Sequence, residues 1–170
     1  LSVEITLTVD KAQEKKLKRN FRLLAGRELK IAGKAAHYAM TPVPKAAKQN
    51  APTDRGALSD SLIKKKKLYK GSGTAVVLVG PDKNFSRGGE VPANYAHLVE
   101  GGVAPHLIPA PAGGLSIFGI VIKGMVQHPG YPGTRFLVRA LEDNATTVVQ
   151  RYRTKLLRDT DKEVRKLGAG

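Results

Sequence analysis

The chain contains no cysteine and no tryptophan in 170 residues, and aromatic residues make up only 5% of it. Without cysteine there is no disulfide framework and no thiolate-ligated metal or redox centre, a usage that suits a reducing compartment. With so few rings, packing falls to Leu, Val, Ile and Ala. Base-stacking recognition of single strands has no platform either, because no aromatics interleave with the charges. Acidic residues are scarce, 14 Asp and Glu against 29 Lys and Arg, and they form no cluster suited to the Mg²⁺ of a nuclease. The longest apolar run, residues 115–126, is broken by Lys123 and is too short to span a bilayer. The first ten residues, LSVEITLTVD, lack a basic region followed by an apolar run, so no secretory signal and no membrane partner are expected.

What is present is enough hydrophobic residue, 41%, for one folded domain over residues 1–170, and a formal net charge of +15. Such a charge attracts polyanions through a long-range, salt-sensitive field, or matches an acidic protein partner.

Residues 2–9 alternate, with Val3, Ile5, Leu7 and Val9 on one side, and predict a half-buried strand. Asp10 then suits an N-cap, with Gln13 placed to reach back as in a capping box. The spacing of Leu17, Phe21, Leu24, Ile31, Ala35 and Tyr38 predicts one long helix to about residue 40. Gly26 and Gly33, seven residues apart on one side of it, suggest close approach of another element or a neighbouring subunit. Pro42 and Pro44 end or kink that helix, and a short helical turn follows over residues 45–50. Residues 62–79 read as a hairpin turned by Gly71, Ser72 and Gly73, with one strand exposing lysines and the other buried.

Beyond a polar loop at residues 81–92, the apolar element at residues 95–100 fits strand or helix equally. Residues 101–114, rich in Gly and Pro, read as irregular, and residues 115–122 as one strand. A last helix begins near Thr134 or Arg135, with Leu137, Leu141, Ala145, Val148, Tyr152 and Leu156 as its buried stripe and Gly168 as its stop. The fold class is α+β: a small, mainly antiparallel sheet packed with N- and C-terminal helices, with long Gly/Pro-rich loops.

Candidate chemistry is thin. His97, His106 and His128, with Glu100 as a fourth ligand, have spacings of nine and twenty-two residues that match no metal-binding pattern. Histidine beside Pro, Gly or apolar residues commonly anchors a loop. Gly119 and Gly124 have the spacing of a phosphate loop, but Met125 follows where lysine is required. Ser61, Ser72, Ser86 and Ser116 lie in no nucleophile elbow and have no identifiable His and carboxylate partners. No catalytic residue, cofactor or metal is expected. The run Lys64, Lys65, Lys66 and Lys67 points alternately to both faces of a strand, either protecting a sheet edge or meeting phosphate without regard to sequence.

Four stretches carry a family resemblance. The first is Ala51-Pro52-Thr53-Asp54-Arg55-Gly56-Ala57-Leu58-Ser59-Asp60-Ser61-Leu62. The second is Tyr95-Ala96 with Val99-Glu100-Gly101-Gly102. The third is His106 with Ile108-Pro109, then an apolar strand and His128-Pro129-Gly130. The fourth is Arg135-Phe136-Leu137-Val138-Arg139-Ala140. In this order and spacing, over roughly residues 45–150, the chain resembles the tail-completion and head–tail joining (neck) proteins of tailed bacteriophages, a group related to the minor tail protein Z of lambda-like phages.

The resemblance implies a structural virion protein, assembled in the host cytoplasm as a ring of six around the DNA channel. Its partners would be its own copies, the head connector or stopper, and the tail tube or terminator, with genomic DNA passing by. On that reading Lys64, Lys65, Lys66, Lys67 and Arg87 face the channel or ring. Residues 105–114 and 128–133, with Pro105, His106, Pro109, His128, Pro129, Gly130 and Tyr131, meet neighbouring subunits. The alternative is a free-standing, sequence-independent nucleic-acid-binding protein.

Overall fold

A computed structural model describes residues 10–111, 113–117 and 119–168; the expected first strand, residues 2–9, lies outside them. The helices are α1 (Lys11–Ala25), α2 (Glu28–Ala39), α3 (Pro42–Asn50), α4 (Ala57–Ser61), α5 (Ala96–Gly101) and α6 (Phe136–Gly168). The strands are β1 (Leu62–Tyr69), β2 (Thr74–Pro81), β3 (Gly102–Val103), β4 (His106–Pro109), β5 (Leu115–Ile117), β6 (Ile120–Ile122), β7 (Met125–His128) and β8 (Tyr131–Pro132). The α+β class is as expected, but the single small sheet resolves into four two-stranded pairings, β1–β2, β3–β8, β4–β7 and β5–β6. The chain divides into two compact units, one of residues 1–42, 64–78 and 145–170, the other of residues 43–63 and 79–144.

In the first unit, Asp10 caps α1 by accepting the Ala12 N–H at 3.0 Å. The long first helix breaks at Gly26 and Arg27. Gly26 meets no other element, so nothing offsets its helix penalty of about 1 kcal/mol. Gly33 stays helical and lets β1 approach: a Cβ there would lie 2.5 Å from Leu68 Cδ2. The element brought close by Gly33 is therefore the chain's own hairpin. Of the expected first stripe only Ile31 and Ala35 are buried, and α1 buries no residue. Asn20 donates to the Leu167 carbonyl at 2.9 Å, and Arg27 pairs with Glu163, which fastens this helical pair to the end of α6.

The hairpin forms as expected, with β2 half-buried rather than buried. Pro42 opens α3 at the position where its missing N–H costs nothing. In the second unit Val43, Leu58, Leu62, Ala96, Phe136 and Ala140 form the core. Phe136 and Ala140 begin the buried side of α6, which continues through the part-buried Asn144 and Val148. Leu141 and Ala145, placed on that stripe by the sequence spacing, are exposed. Leu137, Val148, Tyr152 and Leu156 of that stripe are part-buried, so the departure is confined to the first turns, where Phe136 and Ala140 take the buried positions.

Residues 102–132 form a β-ribbon. Gly102 lies opposite Pro132 and Val103 opposite Tyr131; the same register continues from His106 opposite His128 to Pro109 opposite Met125, and Ala110 donates to the Gly124 carbonyl at 2.8 Å. The stretch expected to be irregular thus holds two strands, β3 and β4. Its ladder is interrupted where Pro105 and Pro129 face each other in register, because neither has an N–H to donate. Beyond Ala110 the register shifts by three, and β5 pairs β6 with Ile117 opposite Ile120. The expected continuous strand over residues 115–122 is therefore a hairpin, reversing beside Gly119 at φ 82°.

Candidate interaction site

The base of the ribbon is built around Glu100. Arg135, immediately before α6, has φ 51° and a side chain without acceptors, so it cannot cap the helix. Glu100, at the end of α5, does so instead: its carboxylate accepts the N–H groups of Leu137 at 2.8 Å and Val138 at 3.0 Å. Its carbonyl also accepts the Arg135 N–H at 3.1 Å, and the Val99 carbonyl accepts the Thr134 N–H at 2.9 Å and the Thr134 hydroxyl at 3.0 Å. The residue considered as a fourth metal ligand is a helix cap. Gly102, at φ 78°, crosses the chain at Gly133 so closely that a Cβ on either would collide with backbone of the other strand. Glu100→Ala is expected to cost about 1–2 kcal/mol, and Glu100→Gln less, since an amide keeps one acceptor but loses the charge. Urea midpoints of the two variants check this ordering.

Two other landmarks meet beside it. Gly56, Ala57 and Leu58 line one hollow of about 460 Å³ with Tyr95 and Val99. The tight turn Arg87-Gly88-Gly89-Glu90 closes with Arg87 and Glu90 bonded backbone to backbone and both glycines at positive φ. Arg87 reaches Asp60 at 2.5 Å and Arg55 reaches Glu90 at 3.3 Å. These exposed pairs are worth at most about 1 kcal/mol each; they hold a turn, and Arg87 faces Asp60. The Tyr95 phenol is raised above its ordinary pKa by burial, then by Glu90 and Asp54, and so remains a neutral hydrogen-bonding group. Ser61, one of the serines weighed as a nucleophile, is fully buried and donates to the Leu58 carbonyl at 2.7 Å.

The lysine run separates by strand alternation. Lys64, Lys66 and Leu68 share the side of β1 that faces α2, as the Lys64 bond to the His37 carbonyl and the Leu68 approach to Gly33 show. Lys65 and Lys67 lie on the other side, where the Lys67 ammonium stands 5.1 Å from the Tyr69 ring centre. Lys65, Lys66 and Lys67 are exposed and Lys64 is part-buried. His37 has its pKa lowered by burial, then by the charges of Lys64 and Lys66. A folded-state pKa below the unfolded one means that the unfolded chain takes up the proton first. Stability from this group is therefore complete above about pH 6.5 and is lost as pH falls through the depressed folded value. His37→Gln should flatten that part of the stability–pH curve, measured by thermal unfolding between pH 7 and 5.

Pro105, His106, Pro109, His128, Pro129, Gly130 and Tyr131 all fall on the ribbon. The rings of His106 and His128 stack at 4.9 Å, with Tyr131 edge-on to His128 at 6.3 Å. His106 Nδ1 donates to the Ala104 carbonyl at 2.9 Å, and His128 Nδ1 accepts the Gly130 N–H at 3.0 Å. The pair thus braces the two segments that the prolines deprive of ladder bonds. His97 is exposed on α5, and among the described residues no three His, Asp or Glu side chains are placed to hold a metal ion.

The ribbon is also the one long stretch of a basic chain with almost no charge: the exposed Lys123 is the single Lys, Arg, Asp or Glu in residues 102–132. It leaves Leu107, Ile120, Val121 and Met125 more than half exposed. The ribbon is not read from the sequence: the want of charge is visible there, but that Pro105 and Pro129 face each other is known only from the register. Among the described residues no helix is long and apolar enough to cross a membrane.

No curated protein and no solved structure matches the chain. A family model described as "Bacteriophage HK97-gp10, putative tail-component" matches residues 15–102, more than half of the chain, and ends at the foot of the ribbon. The chain belongs to this HK97-gp10-like family of bacteriophage tail components.

Proposed function

We propose that the chain is a structural virion subunit of the phage neck, completing the tail and joining it to the head as a closed ring around the DNA channel. The observation that carries this reading is the exposed ribbon of residues 102–132, which holds a single charged residue, Lys123, on an otherwise strongly basic chain. Copies of a +15 chain repel one another, and a surface with only one charged residue lets them meet at the least electrostatic cost. A two-stranded ribbon is marginal by itself in water, and each of its outer edges offers unpaired backbone groups to another strand. A head-to-tail contact of this kind generates a ring when its rotation closes; six copies fit the resemblance to tail-completion proteins and lambda minor tail protein Z. The basic remainder, including the exposed Lys66 and Lys67, supplies a diffuse field for passing DNA without bonds that would trap it.

We propose too that residues 1–170 act as one domain, since the chain passes between its two units inside α3, β1, β2 and α6 and not through linkers. The head connector or stopper on one side and the tail tube or terminator on the other are the neighbours this role requires. A free-standing nucleic-acid-binding protein would account for the charge and leave the ribbon without a use. Imaging of purified virions with this subunit tagged tests the reading: several copies at the head–tail joint are expected, and its absence from the particle would end it.

A further inference from the structure

We infer that Lys64 and Arg151 form a binding site for a phosphate group. Lys64 Nζ donates to the His37 carbonyl at 2.6 Å and to Thr41 Oγ1 at 2.7 Å. Two of its three donors are thereby fixed and one is left over. The Arg151 guanidinium lies 4.6 Å from the centre of the Tyr38 ring, which sets its plane. Its Nε is buried with no hydrogen-bond partner among the described residues, so the terminal nitrogens are the edge left for a ligand. Lys155 also approaches Tyr38, at 5.8 Å, but Asp159 neutralises it at 2.6 Å.

Lys64 and Arg151 have no such partner: among the described residues neither forms an ion pair with a carboxylate, and the two repel each other. That repulsion follows burial as a cause of the lowered Lys64 pKa. Holding two cations together with donors unfilled costs stability unless an anion joins them. A tetrahedral phosphate can accept from a point-like ammonium and from the flat edge of a guanidinium at once. Lys66, which also depresses His37 from the same side of β1, adds to the positive potential there.

The source of the phosphate, DNA backbone or free anion, rests on the proposed place beside DNA, and the experiment separates the two. Ligand-observed ³¹P NMR of inorganic phosphate with the full chain, at constant ionic strength, is expected to show saturable broadening that acetate does not displace. Arg151→Gln should weaken binding about tenfold or more, and Lys64→Met similarly if it folds. No broadening, displacement by acetate, or unchanged binding in Arg151→Gln would overturn the site. A duplex of about 20 base pairs is the second probe: the slope of log K against log salt should fall by about 1 in Arg151→Gln. Phosphate binding without duplex binding keeps the site and removes DNA as its ligand. Duplex binding with an unchanged slope keeps DNA as a partner and overturns this site as its contact.

Discussion

Replacing Phe136 by alanine is expected to lower stability by about 3–5 kcal/mol, a large part of what a domain of this size possesses. Phe136 is fully buried at the first position of α6, with Ala140 beneath it on the same side. Its loss opens a cavity in the core of the second unit and frees the helix start that Glu100 caps at Leu137 and Val138. The double variant with Glu100→Ala should therefore cost less than the two single losses together, because both act on one helix terminus. Leu141→Ala is the contrast. The 3.6-residue period places Leu141 on the buried stripe, yet it is 46% exposed, so about 1 kcal/mol or less is expected. Urea midpoints of the four variants against the wild type check the whole set.

Replacing Leu107 and Met125 together by lysine is expected to abolish self-assembly while leaving the fold intact. The two side chains are on one face of the ribbon, since Leu107 pairs with Gln127 and Met125 with Pro109. They are 52% and 65% exposed, so lysine there meets water in the single copy and changes stability by less than about 0.5 kcal/mol. Closed into an interface, the same lysines become buried charges without partners, at a cost of several kcal/mol each. A contact repeated around a ring multiplies that cost. Circular dichroism should show an unchanged fold, and light scattering single chains in whichever condition the wild type assembles, alone or with tail tubes.

Much of the fold is legible in the residues. Asp10 reads as a cap, Pro42 as a boundary, and Gly71 to Gly73 as the turn of a hairpin; each is set by local chemistry, and each stands in the structure. The helix break at Gly26 was not legible, because Gly26 and Gly33 look alike until one lies under Leu68 and the other under nothing. Periodicity places a stripe on α6 that holds at Leu137, Val148, Tyr152 and Leu156, which are part-buried, and fails at Leu141 and Ala145, near which Phe136 and Ala140 are the buried residues. The ribbon was hidden by its composition. Gly and Pro suggest irregular chain, whereas here two prolines facing each other in register merely interrupt a ladder that continues on both sides.

The site was legible only as a set of neighbours in sequence. Pro105, His106, His128 and Tyr131 were placed together as contact residues, and the ribbon brings them together in space. The capping role of Glu100 is hidden in the sequence, where it is weighed only as a metal ligand and set aside, because that role depends on α6 starting at a residue that cannot cap it. Arg87, which the resemblance places towards the channel or ring, pairs with Asp60, a neighbour 27 residues away in sequence that spacing does not reveal.

The mass of the purified chain in solution, alone and in the presence of phage tail tubes, with no DNA added, tests the central claim most directly. The wild type should assemble into a closed oligomer in one of these conditions, and the Leu107→Lys/Met125→Lys variant should stay a single chain in both. A wild type that remains a single chain on the tubes as well, or a variant that assembles as readily as the wild type, would contradict it.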